Sequence, residues 1–150
     1  VEQTDQAAIN QWLGNVLAPF SPGERRRFFR QLASDLQRSQ ADRIKAQQNP
    51  DGSPFQARQP RKRKKGIRQR AMFTRIRSRK NLRRASSADH AEAGFNSRMA
   101  RIADVHQHGL VSEVSKGGPL AKYAQRQLLG LSATDIDRIE QSALQFLQGG

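Results

Sequence analysis

The sequence predicts an α+β fold, with helices at the two ends of the chain and short strands between them. Three observations predict it. Apolar residues recur at helical spacing at the start of the chain and again near its end. Two capping signatures mark where helices begin. The stretch from Leu82 to Phe95 alternates apolar and polar residues, as half-buried strands do. A chain of 150 residues has room for one domain and little for two.

The first helix is predicted over residues 5–18. Ile9, Trp12, Leu13, Val16 and Leu17 fall at i, i+3, i+4, i+7 and i+8, one apolar stripe, and Pro19 ends it. A second start follows at Ser21-Pro22-Gly23-Glu24. Ser21 reads as N-cap, Pro22 as the first helical residue and Glu24 as the acid that reaches back to the cap. The helix continues through Phe28, Phe29, Leu32, Ala33, Leu36 and Ile44. Arg25, Arg26, Arg27 and Arg30 crowd its first turns, where the helix dipole disfavours cations. An acidic neighbour would offset that cost; solvated surface is the simpler reading. Asn49-Pro50-Asp51-Gly52 carries strong turn chemistry and breaks the helix. Pro54 and Pro60 keep the following chain extended.

Met72, Phe73 and Ile76 form a short apolar patch, predicted to dock on the core as one or two helical turns. One or two strands are predicted around Ser86–Asp89. Met99, Ile102, Ala103 and His106 space like a short helix over 98–107, ended by His108-Gly109. Lys116-Gly117-Gly118-Pro119 is a turn, and Tyr123 to Leu131 an extended connection. Ser132-Ala133-Thr134-Asp135 is a second capping box. It opens a last helix with Ile136, Ile139, Ala143, Phe146 and Leu147 inward. There is no internal repeat.

Charge is the strongest compositional signal. Lys and Arg number 27 against 13 Asp and Glu, a net +14 with a pI near 11.5. Hydrophobic residues are 35% and the mean hydropathy is -0.82, so a core forms only if part of the chain stays outside it. Residues 52–88 contain no acid and hold fourteen of the 27 basic residues. The sharpest run is Arg61-Lys62-Arg63-Lys64-Lys65. With Arg58, Arg68 and Arg70 it forms the candidate contact surface, on a stretch with almost no apolar side chain to hold it to a core. Such a run can neutralise phosphates or dock on an acidic protein. No aromatic is interleaved, which argues against base stacking, and no helix-turn-helix or zinc-finger spacing is present.

Other chemistry is poorly supported. Without cysteine there is no disulfide or thiolate metal site. No apolar run is long enough for a bilayer span, and the polar start Val1-Glu2-Gln3-Thr4-Asp5 does not read as a secretion signal, so a soluble cytoplasmic protein is expected. His106 and His108 would face one side of a strand but diverge on a helix. Apart from Asp104, nothing near them completes a ligand set, and with His90 they read as structural histidines. Ser86-Ser87-Ala88-Asp89-His90 holds the residue types of a triad, but adjacent strand residues point apart. Asp135, Asp137 and Glu140 sit at a helix start, where acids offset the dipole. Gly117-Gly118 and Gly149-Gly150 lack the context of a phosphate cradle. The chain is therefore expected not to be an enzyme, with no catalytic residue, cofactor or metal site.

Several stretches, in order, carry a likeness. They are Phe20-Ser21-Pro22-Gly23-Glu24 entering the Arg-rich helix, Arg43-Ile44-Lys45-Ala46-Gln47 running into Asn49-Pro50-Asp51-Gly52-Ser53-Pro54-Phe55, and then Arg58 with the basic stretch ending near Met72-Phe73. Later come Ile102-Ala103-Asp104-Val105-His106-Gln107-His108-Gly109 and Leu128-Leu129-Gly130-Leu131. Together they resemble the phage virion morphogenesis family, the tail completion proteins (protein S type) of temperate contractile-tailed phages. One departure stands out. Where the family shows an Ala-Arg-Pro-like element before its Leu-Gly, this chain reads Tyr123-Ala124-Gln125-Arg126-Gln127, without proline, so a different backbone is expected there.

The resemblance implies a structural virion protein at the neck. It would cap the head-proximal end of the tail and enable head-tail joining, in the virion after assembly in the bacterial host cytoplasm. Implied partners are further copies of itself in a ring of six, the tail tube, tail terminator or sheath proteins, and head-proximal connector proteins, with no membrane. The implied fold is α+β: N-terminal helices, a small antiparallel sheet with a long basic loop or arm, and a C-terminal helix. It would form a single tail completion domain over 1–150, its arm at about 54–84. The arm's charges are expected to meet protein, with nonspecific contact to phage DNA left open. The alternative is a nonspecific nucleic-acid-binding protein that uses the same basic arm.

Overall fold

The computed structural model describes residues 2–57, 71–113 and 116–149. In chain order they form α1 (Glu2–Leu17), α2 (Pro22–Lys45), β1 (Leu82–Ser86), β2 (Ala91–Phe95), α3 (Ser97–His108), β3 (Val111–Glu113), β4 (Leu120–Lys122) and α4 (Ala133–Gly149). The strands make two separate antiparallel pairs, β1 with β2 and β3 with β4. The architecture is α+β, as predicted. Among the described residues no helix is long and apolar enough to cross a membrane.

Both predicted capping boxes form. The Glu24 amide donates to Ser21 Oγ at 3.2 Å while the Ser21 amide faces Glu24 Oε1 at 3.4 Å. At α4, the Asp135 amide donates to Ser132 Oγ and the Ser132 amide to Asp135 Oδ2, each at 3.0 Å. Each box satisfies helix-end donors that would otherwise lack partners.

The predicted apolar stripes meet in a first core cluster. Ile9, Leu13 and Leu17 of α1, Phe28, Phe29 and Leu32 of α2, and Ile139 and Ala143 of α4 are buried there. Phe146 joins it with ring centroids 4.7 Å from Phe20 and 5.4 Å from Phe28. Leu147, expected inward, is 45% exposed. It lies at the edge of the α4 stripe in the last turn, past the arc that faces α2.

The β1–β2 hairpin lies along α2, with Leu82 opposite Phe95 and Ser86 opposite Ala91. Gln37 Nε2 donates to the Leu82 carbonyl at 2.6 Å, and Arg84 reaches Ser34 Oγ at 3.0 Å. The strands expected around Ser86–Asp89 instead flank that point, and Ser87–His90 is the turn. The Ser87 amide donates to the His90 carbonyl, and Ser87 Oγ accepts the Asp89 amide and bonds His90 Nδ1 at 2.7 Å. Serine and aspartate compete for local backbone groups in this way, which favours a turn over a strand centre.

α3 opens on Asn96, whose side chain takes the Met99 amide, and closes on Gly109 in the left-handed conformation. Residues 72–80 dock as a series of turns and not as helix. Phe73 has a φ of 65°, a left-handed kink that interrupts helical propagation. Met72 and Ile76 still bury, in a second core cluster with Ile44, Phe55, Ala103 and Leu128.

Candidate functional site at the root of the basic segment

Arg58, Arg61, Lys62, Arg63, Lys64, Lys65, Arg68 and Arg70, the predicted contact residues, lie outside the described residues. The described chain supplies the two ends of that segment, at Ala57 and Ala71, and shows what holds them.

Gln47 ties both ends. It follows the last turn of α2 in the left-handed region, with φ 59°. Its carbonyl accepts the Phe55 amide at 2.7 Å on the entering side. On the returning side its Oε1 accepts the Met72 amide and its Nε2 donates to the Met72 carbonyl, both at 2.8 Å. One side-chain amide thus pairs with both backbone groups of Met72 as a neighbouring strand would. Between these points the Asn49–Ser53 turn forms as predicted. The Gly52 amide donates to the Asn49 carbonyl, the Asn49 amide to the Ser53 carbonyl, and Gly52 adopts φ 89°. The Ser53 hydroxyl, with its amide second, holds the Asp51 carboxyl below its ordinary pKa of 3.8.

The extended connection after β4 closes the root from the other side. Arg126 is buried and donates from Nε to the Gln56 carbonyl at 2.8 Å and from Nη2 to the Ala57 carbonyl at 3.3 Å. Arg43 is buried too. Its Nη1 donates to the Gln127 and Gln48 carbonyls at 2.8 and 3.1 Å, its Nη2 to the Leu128 carbonyl at 2.9 Å and to Gln40 Oε1 at 2.5 Å. Gln40 Oε1 also accepts the Gly130 amide, and Asn49 Oδ1 the Gln127 amide. Gln107 of α3 brackets Leu129, taking its amide and donating to its carbonyl at 2.9 Å. The planar guanidinium fork suits this task, since several carbonyls of an unpaired stretch converge on it. At Gly130 a Cβ would meet Pro50 Cγ at 2.5 Å, so only glycine lets the connection seat against the turn.

His106 is half-buried in the same place. Its ring meets Phe73 and Tyr123 edge-on, with centroids 4.7 and 5.1 Å away, and its Nδ1 lies 3.4 Å from Arg126 Nη1. His108 points elsewhere, exposed and 3.3 Å from Asp104. The pair diverges as helical histidines do, and no metal-holding group of three is found among the described residues. Arg25 of α2 has the acidic neighbour considered from sequence: it meets Asp89 at 3.7 Å and donates to the Ala88 carbonyl. Arg26, Arg27 and Arg30 are exposed, as are Arg75, Arg79, Lys80 and Arg83 on the flank of the basic segment.

Gln40, Arg43, Gln47 and Arg126 are not among the site residues that the sequence singles out. A signal for three of them exists. Leu36, Gln40, Arg43, Ile44 and Gln47 continue the α2 stripe at i, i+4, i+7, i+8 and i+11, so polar residues occupy apolar positions and need buried partners.

The arrangement holds the entry and exit of a thirteen-residue segment, 58–70, in fixed places. Four of the stretches that carry the family likeness, Arg43–Gln47, Asn49–Phe55, Ile102–Gly109 and Leu128–Leu131, meet here, while the stretch at Phe20–Glu24 lies at the start of α2 beside the first cluster. Sequence comparison agrees. The model of the phage virion morphogenesis family matches residues 4–148. The chain is 35% identical over 139 residues to the tail completion protein S of Escherichia phage P2, covering 91% of this chain and 93% of that protein. No solved structure matches.

Proposed function

The chain belongs to the phage virion morphogenesis family, and from that premise we propose that it is a structural tail completion protein of the virion neck. It caps the head-proximal end of the tail and enables head-tail joining, working as a ring of six with tail and connector proteins as neighbours. The observation that carries this reading is the root of the basic segment. Four of the stretches that carry the family likeness converge where the ends of one thirteen-residue segment are held, and that segment carries eight basic residues and no acid. A mount of this kind suits an element that must be presented to a partner at a set place and angle. The partner is an acidic protein surface. A channel lined with so much positive charge would grip passing DNA and slow its exit.

The test is to replace residues 58–70 by a short Gly-Ser linker in the phage. The expected outcome is a chain with an unchanged circular dichroism spectrum and melting temperature, and lysates in which filled heads and finished tails accumulate unjoined under the electron microscope. Infectious particles at normal titre would sink the reading.

A second reading, nonspecific DNA binding, is favoured by the exposed Arg75, Arg79, Lys80 and Arg83 beside the segment. It requires duplex binding that persists at about 0.15 M salt and falls steeply on a log-log salt plot. Absence of binding at that salt removes it.

A further inference from the structure

The two most exposed large apolar side chains among the described residues are Leu120 at 71% and Val111 at 59%. Both lie on the β3–β4 hairpin. The hairpin pairs Val111 with Lys122, Ser112 with Ala121, and Glu113 with Leu120. Directly paired residues of an antiparallel ladder share a face, and residues two apart along a strand share it too. Val111, Glu113, Leu120 and Lys122 therefore form a two-by-two array on one face, and all four are exposed. Ser112 and Ala121 occupy the other face and are half-buried. Apolar side chains take one diagonal of the array; an acid and a base take the other.

That pattern is complementary to itself. Two copies set face to face about a two-fold axis along the Val111–Leu120 diagonal bring Val111 onto Val111 and Leu120 onto Leu120. The same operation places Glu113 of each copy on Lys122 of the other, twice. A two-fold axis along the strands, or across them, would put charge on apolar side chains instead. The diagonal axis sets the strands of the two hairpins near right angles, one of the two ways sheets pack face to face. Glu113 also takes the Gly117 amide through Oε2 at 3.1 Å, which fixes the carboxylate at the hairpin tip; among the described residues its second oxygen makes no hydrogen bond. A lone two-stranded pair with three-residue strands is marginal by itself, so covering this face also steadies the hairpin.

We propose that the exposed face of the β3–β4 hairpin is a docking surface for the same face of a second copy of this chain. The array is small, so the association is weak and transient. It does not rest on the tail reading, because its readout is the free chain in solution.

The test uses the full chain, which has no cysteine. Single variants Val111→Cys and Leu120→Cys, treated with a short bismaleimide, should each give a cross-linked dimer. Ala121→Cys on the opposite face should not. Glu113→Cys and Lys122→Cys should cross-link efficiently only when the two variants are mixed. In sedimentation equilibrium, Glu113→Lys and Lys122→Glu should each weaken association at least tenfold, and the double exchange should restore it. A monomer at a chain concentration of about 1 mM would overturn the proposal. So would equal cross-linking at Val111 and Ala121, or a double exchange no better than either single one.

Discussion

Leu17 and Ile44 are both fully buried, and both sit on helical stripes, yet their surroundings differ in kind. Around Leu17 the first cluster is a meeting of three helices through side chains that carry no polar atom, apart from the edge of Trp12. Around Ile44 the second cluster has fewer apolar members. It is enclosed by Gln40, Arg43, Gln47 and Arg126, whose side chains hold backbone groups of segments with little regular structure. Apolar burial is roughly proportional to area and indifferent to direction. Hydrogen bonds to buried carbonyls are directional and costly to leave unmade. The helical end of the molecule therefore supplies stability, and the polar end supplies position. The contact role proposed for residues 58–70 calls on the second quality more than the first.

Three substitutions break or sharpen this contrast. The largest effect is expected for Arg43→Ala, which leaves the buried Leu128 carbonyl and the part-buried Gln48 and Gln127 carbonyls without their donor and removes one of two partners of Gln40 Oε1. A loss of about 3–4 kcal/mol is expected in urea unfolding. Hydrogen exchange should show residues 123–131 opening well before α1 and α4. A loss below about 1 kcal/mol would mean that the guanidinium is not what fixes the connection. Leu17→Ala should cost about 3 kcal/mol through lost burial and the cavity left behind. Here the order of exchange should be unchanged, with residues 123–131 still keeping the protection they have relative to α1.

The smallest effect is expected at Asp51, which is fully exposed. Its folded carboxyl is held below the unfolded value, so its contribution is present above the ordinary pKa of 3.8 and fades as pH falls through the folded one. Asp51→Asn should lower the urea midpoint slightly at pH 7. The difference from wild type should close as the pH drops below the folded value. A difference that persists in strong acid would show that the turn depends on something other than the ionised carboxylate.

The same contrast decides what was legible in the sequence. Ser21-Pro22-Gly23-Glu24 and Ser132-Ala133-Thr134-Asp135 name their own local partners, so both helix starts were readable to the residue. The stripes Ile9 to Leu17 and Phe28 to Leu36 announced the first cluster by spacing alone. The hairpin was placed a few residues off. Ala85, Ala91, Ala93 and Phe95 alternate with polar residues like a strand, and only the bonds of Ser87 to the Asp89 amide and the His90 ring and carbonyl reveal the turn between them. Leu147 was assigned inward by its apolar character, though the arc facing α2 ends before it. The root was hardest. Arg43 and Arg126 are arginines in a chain full of arginines. Their partners are carbonyls far along the chain, and no periodicity encodes a partner of that kind. The family likeness drew on these same stretches without saying what they build.

The bonds that build the root are also long in sequence. Arg43 reaches the Gln127 and Leu128 carbonyls across 84 and 85 residues, and Gln40 reaches the Gly130 amide across 90. During synthesis the root cannot close until residue 130 has been added, about 60 residues after Arg70. At roughly 5–20 residues per second, that is a delay of about 3–12 s. Through that interval the basic segment has been made but its mount has not. Until then Arg43 and Gln40 lack the partners that fix the connection, so the root forms only after residue 130 has been made.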